Sequence, residues 1–160
     1  MSIAIATSTV TVNAAFFQEI KEVNQELWQT LAQVRDVCQR PQEARGDSHR
    51  FAGMLGELRD QLALHFALEE AYGYFDDPAY VAPHFCERAN ELRSEHRDLY
   101  LSISEIADRA EEFCGRANLA TLVAQIGRQF TAFDRRLQQH ESRENELIQM
   151  AYDDDIGGGD

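Results

Sequence analysis

The chain has 160 residues, 44% of them apolar and 9% aromatic, with a formal net charge of −13 and a pI near 4.7. That length and composition fit one globular domain and exclude a disordered chain. The acidity argues against nucleic-acid binding through phosphate neutralisation and against docking on an anionic membrane; as evidence for cation binding it is weak, because most carboxylates are simply solvated.

In chain order, residues 1–12 alternate only weakly and read as a loose N-terminal arm, and MSIAIATSTVTV lacks the basic residues and apolar block of a signal peptide. Helix 1 is expected from about Asn13, a plausible N-cap, to Gln39, where Pro41 stops it. Its apolar seam is Phe17, Ile20, position 24, Leu27, Leu31, Val34 and Cys38. Helix 2 starts near Asp47 or Ser48 and ends before Gly73, with a seam of Phe51, Leu55, Leu58, Leu62, positions 65 and 69, and Tyr72. Pro83 suits the first turn of helix 3, which runs to Gly115. There the seam is Phe85, Ala89, Leu92, position 96, Leu99, Ile103, Ile106, Ala110 and Phe113. Asn118 can cap helix 4, whose seam passes from Leu119 through Phe130, Leu137 and positions 140 and 144 to Ala151.

Steps of three and four throughout predict helices packed nearly parallel or antiparallel to their neighbours. The expected fold is all-α, an up-down-up-down four-helix bundle over residues 13–151 followed by an acidic, Gly-rich tail at 152–160. Nothing approaches the ~18–20 apolar residues of a membrane span. Cys38, Cys86 and Cys114, odd in number and without a C-x-x-C pair, read as buried thiols of a reducing cytoplasm.

Every interruption of the four seams is a residue able to ligate a metal or hydrogen-bond a ligand: Asn24, His65, Glu69, His96, His140 and Glu144. His-x-x-x-Glu occurs twice, at 65/69 and 140/144, and that spacing stacks the two side chains on one helical face. Three imidazoles and two carboxylates compensate one another poorly in a dry core, and a cation would compensate them well. At ~1.5 Å per residue Asn24 and His65 fall at similar depths, about 22 and 25 Å from their shared end, whereas His96 and His140 match less closely. Imidazole with carboxylate suits iron or another divalent transition metal, and two carboxylates able to bridge favour a pair of ions.

The stretches LALHFALEE (62–70), LRSEHRDL (92–99) and LQQHESRENELI (137–148) resemble the hemerythrin-like family, the HHE cation-binding domain. The resemblance implies a four-helix bundle holding one or two non-haem iron ions. In that likeness Glu69 and Glu144 bridge, His96 and His140 serve one iron, and His65 serves the other. This chain departs from the pattern on helix 1, where Asn24 stands in place of the family's histidine. Three readings stay open: Asn24 is a weak ligand or holds a water on the metal; the second metal position is empty or labile; or Asn24 is a polar seam residue fixing helix register. Tyr100, where some members carry a second histidine, is a remote ligand candidate just off the seam.

The function expected is binding or sensing of a small diatomic ligand, O2 or NO, or of iron itself. The sequence offers no substrate pocket and no general base distinct from the ligands, which disfavours an enzyme. A di-iron redox enzyme and a metal-free interaction bundle are the rivals. Glu95, Glu141, Glu70, His49 and His84 are expected to be solvated, off the seams.

Overall fold

Breakers and caps fall where the chain turns. The structure, a computed structural model, describes residues 18–22, 24–73 and 83–158. The expected arm at 1–12, the cap at Asn13, the connection at 74–82 and the last two residues lie outside the described residues. Four long helices follow in order: α1 (Gln25–Gln39), α2 (Ser48–Leu68), α3 (Pro83–Phe113) and α4 (Leu119–Gly158). A 3-10 turn at Pro41–Glu43 follows α1, and a π-helical turn at Glu69–Gly73 extends α2. No strand occurs among the described residues, so the all-α class stands as expected.

Local chemistry explains these boundaries. Pro41, with no N–H to donate, ends α1 and begins the 3-10 turn. Gly46 turns the chain at φ 127°, a conformation that side chains with a Cβ disfavour. Asp47 then caps α2, its Oδ1 accepting the His49 N–H at 2.9 Å, and Asn118 caps α4 by accepting the Thr121 N–H at 2.9 Å. Among the described residues no helix is long and apolar enough to cross a membrane.

Two boundaries differ from expectation. Helix 1 is interrupted: residues 18–22 are helical, Asn24 is not, and α1 begins at Gln25. Asparagine favours alternative hydrogen bonds over helix, and Asn24 Nδ2 lies 3.2 Å from His65 Nδ1. At the other end α4 runs through Gly158, so the helix extends past residue 151, where the bundle was expected to close. Of the cysteines, Cys114 is buried as expected, but Cys38 and Cys86 are only half-buried.

Packing divides the chain into two compact units. One gathers residues 25–64 and 97–138 around an apolar core. Leu27, Val34, Leu55, Leu58, Leu62, Ile103, Ile106, Ile126 and Leu137 are wholly enclosed there, at the helical steps read above. Arg35 of α1 clamps Asp134 of α4 in this unit through Nε–Oδ2 at 2.7 Å and Nη2–Oδ1 at 2.8 Å. Asp134 is only 7% exposed, while the Arg35 side chain keeps a third of its surface in water. Arg35→Ala leaves that buried carboxylate with the weaker amide of Gln138 at 3.3 Å. The expected cost is about 2 kcal/mol, below the range for fully buried pairs, read as a lower urea midpoint at unchanged m-value.

The other unit gathers the described residues among 1–24, 65–96 and 139–160. Apolar Ile20, Phe66, Phe85, Ala89, Leu92, Leu147 and Ile148 are buried there, together with five polar side chains: His65, Glu69, His96, His140 and Glu144.

Candidate metal centre

Each polar side chain reaches the centre of this unit from a helical face that is otherwise apolar. His65 sits on the last turn of α2 and Glu69 opens the π-helical turn beyond it, so the wider backbone spiral starts at the carboxylate. His96 comes from α3, and His140 with Glu144 from successive turns of α4. His65, Glu69, His140 and Glu144 are fully enclosed, and His96 is 4% exposed. Phe66 lies flat on the His96 ring, 4.0 Å between centroids and 9° between planes, and meets His140 edge-on at 5.7 Å. This aromatic wall keeps water from two of the three imidazoles.

The donor atoms converge in two groups, each able to hold an ion: His96, His140 and Glu144; and His65, Glu69, Glu141 and Glu144. Glu144 belongs to both. Its Oε1 faces the first group, 2.6 Å from His140 Nε2 and 3.4 Å from His96 Nε2. In the second group His65 Nε2 contacts Glu69 Oε1 and lies 3.7 Å from Glu141 Oε1. The structure therefore brings together all five seam residues. Asn24 joins them through its amide, whereas Tyr100 is 38% exposed, unlike the five.

Three further residues escaped the sequence reading. Glu95 accepts a hydrogen bond from His140 Nδ1 at 2.8 Å and is itself held by Arg143 at 2.6 and 2.8 Å. Donating from Nδ1 to Glu95 turns His140 Nε2 toward Glu144, the atom that would meet a metal ion once its proton is displaced. Glu141, expected in solvent, keeps only 15% of its side chain exposed and completes the second group. Lys21 contacts Glu141 Oε2 and lies 2.8 Å from Glu144 Oε2, with its own side chain 10% exposed.

The charges follow from these contacts. Burial alone would raise the Glu144 carboxyl, but His140, His96 and the Lys21 ammonium outweigh it and hold the group well below the usual range. Glu69 goes the other way: burial, with Glu144 close by, pushes its carboxyl well above the usual range. Burial disfavours a charged His65, yet Glu141 and Glu69 beside it push its pKa up to about 9. His140 is raised too, burial being overcome by Glu144 and Glu95. One buried carboxyl, that of Glu69, and two imidazoles, those of His65 and His140, thus hold protons that a cation would displace.

The donor set fits a metal ion. Glu69 Oε2 is enclosed without a properly aligned hydrogen bond among the described residues. Leaving such an atom unsatisfied costs free energy, and a cation at the focus of these donors would recover it. Hard carboxylate oxygens with borderline imidazoles and no nearby thiolate suit a divalent first-row ion.

The family model for the hemerythrin HHE cation binding domain matches residues 15–152. No curated protein and no solved structure matches the chain.

Proposed function

Because the chain belongs to the hemerythrin HHE cation-binding domain family, we propose that it holds non-haem iron through His65, Glu69, His96, His140 and Glu144. We further propose that it binds O2 or NO there, as a carrier or a sensor, in the cytoplasm. The observation that supports this most is the shared carboxylate: Glu144 belongs to both groups of buried donor atoms. Iron supplies, when bound, a coordination position open to a diatomic ligand.

The chain's own residues do the rest. Glu95 orients His140 through Nδ1, and Arg143 holds Glu95 in turn. Asn24 does the same for His65. One amide carries both a donor and an acceptor, so turning it by half a revolution serves either tautomer of the ring. Asn24 then acts on the metal through His65, which accommodates the loss of the helix-1 histidine. Phe66, flat on the His96 ring, and the burial of all five donors exclude water, favouring uptake of a small neutral ligand over exchange with solvent.

Anaerobic loading with ferrous iron, followed by elemental analysis and absorption spectra under cycles of O2 or NO and argon, tests this reading. At least one iron per chain and a spectral change that reverses with the gas are expected. Bleaching coupled to turnover of a reductant would assign an oxygen- or peroxide-reducing enzyme instead. Less than about a tenth of an equivalent of iron would leave a metal-free interaction bundle.

A further inference from the structure

The basic residues of this chain are fourteen arginines and a single lysine, Lys21. That lysine sits in the acid cluster, its side chain only 10% exposed, touching Glu141 Oε2 and 2.8 Å from Glu144 Oε2. The two oxygens of Glu144 therefore face different partners. Oε1 looks toward His96 and His140, and Oε2 toward the Lys21 ammonium. In a carboxylate that bridged two metal ions, Oε2 would face the second.

We infer that Lys21 takes the place of the second metal ion, so that this centre binds a single ion between His96, His140 and Glu144. The inference rests on the metal-binding reading above and narrows it: of the five residues named there, His96, His140 and Glu144 hold the ion, while His65 and Glu69 belong to the second group, whose place for an ion Lys21 takes. Charge supports it. A second ion would sit beside an ammonium that already contacts two of its four ligand residues, and two cations in one enclosed site repel each other. Lysine suits this position where arginine does not: its ammonium is a compact point charge, close in shape to a bound cation, rather than a planar fork.

The inference also accounts for the helix-1 departure. With an ammonium at the second position, a histidine from helix 1 has no ion to meet, and Asn24 is left to hold His65 from behind.

Metal counting on wild type, Lys21→Arg and Lys21→Gln, each loaded anaerobically with ferrous iron and separately with zinc, tests it. One equivalent is expected for wild type and Lys21→Arg, and two for Lys21→Gln. Two equivalents in wild type would overturn the inference and leave the metal-binding reading intact, as would one equivalent in a folded Lys21→Gln. No metal in any of the three would overturn both. Should Lys21→Gln fail to fold, nitrogen-15 labelling of lysine places a single side-chain ammonium resonance in the spectrum. In zinc-loaded wild type that resonance is expected to shift, to stop changing at one equivalent and to stay in slow exchange with water. Its displacement into rapid exchange on zinc loading would overturn the inference.

Discussion

Glu144→Ala is expected to abolish stable metal binding and to lower the stability of the metal-free protein by about 3–5 kcal/mol. No other residue stands in both groups of donor atoms, so its removal takes a ligand from each. The loss of stability has a separate origin. With the carboxylate gone, Lys21, His96 and His140 lose their common anionic partner inside a fully enclosed site. A buried ammonium deprived of the Glu144 carboxylate costs more than the cavity that the missing side chain leaves. Glu144→Gln separates the two effects, since it keeps the volume and one acceptor oxygen and loses the charge. It should bind metal at least ~10-fold more weakly while losing less stability than the alanine variant. The exposed Glu146, half a turn away on α4, is the control: Glu146→Ala should stay within about 0.5 kcal/mol of wild type. Elemental analysis and urea midpoints of the three variants check these values. Full metal content in Glu144→Ala would remove Glu144 from the centre.

Such contrasts show why part of this site was legible in sequence. His65, Glu69, His96, His140 and Glu144 each interrupt an apolar series of period three to four. A polar residue at a position that must be buried identifies itself. The helix ends were equally legible, because Pro41, Asp47 and Asn118 act on the backbone locally, whatever the tertiary structure. Glu95 and Glu141 were not. Each adjoins a seam histidine and so points about 100° away from the seam on an ideal helix; only the neighbouring elements decide whether that direction is water or protein. Here Arg143 holds the first and Lys21 the second.

Lys21 was hidden because it adjoins the seam residue Ile20 and reads as one more surface cation, whereas the structure places it in the acid cluster. One signal was available in the composition: a chain with fourteen arginines and one lysine has that lysine three residues before the only seam position on helix 1 that is not apolar. The π-helical turn at Glu69–Gly73 had no local signal, since a single wider turn reflects what the side chains meet rather than what the backbone prefers.

Between pH 6.5 and 9 the metal-free protein is expected to lose stability while its affinity for metal rises. The loss of stability comes mainly from the proton on His65, whose pKa the neighbouring carboxylates push up to about 9 although burial opposes them. A folded-state pKa above the unfolded one means that the folded protein binds this proton more tightly. The contribution is therefore complete below about pH 6.5 and disappears as pH climbs through about 9, a change of up to roughly 3 kcal/mol. His140 is shifted the same way and adds to the slope. Glu144, held low, acts only at acid pH, where its protonation would release Lys21 and the histidines. Metal binding has the opposite sign, because an ion between His96, His140 and Glu144 competes with the proton that Glu144 and Glu95 favour on His140; its affinity should rise by up to about tenfold per pH unit. The stabilisation produced by one equivalent of zinc should consequently widen with pH over the interval in which the metal-free midpoint declines. Urea midpoints with and without zinc, at half-unit steps from pH 6 to 9.5, check both trends. In His65→Gln, which cannot hold the proton, the decline of the metal-free midpoint should flatten. A wild-type midpoint equally flat over that interval would mean that His65 is neutral in the folded protein, and that its contact with Glu69 is not an ion pair.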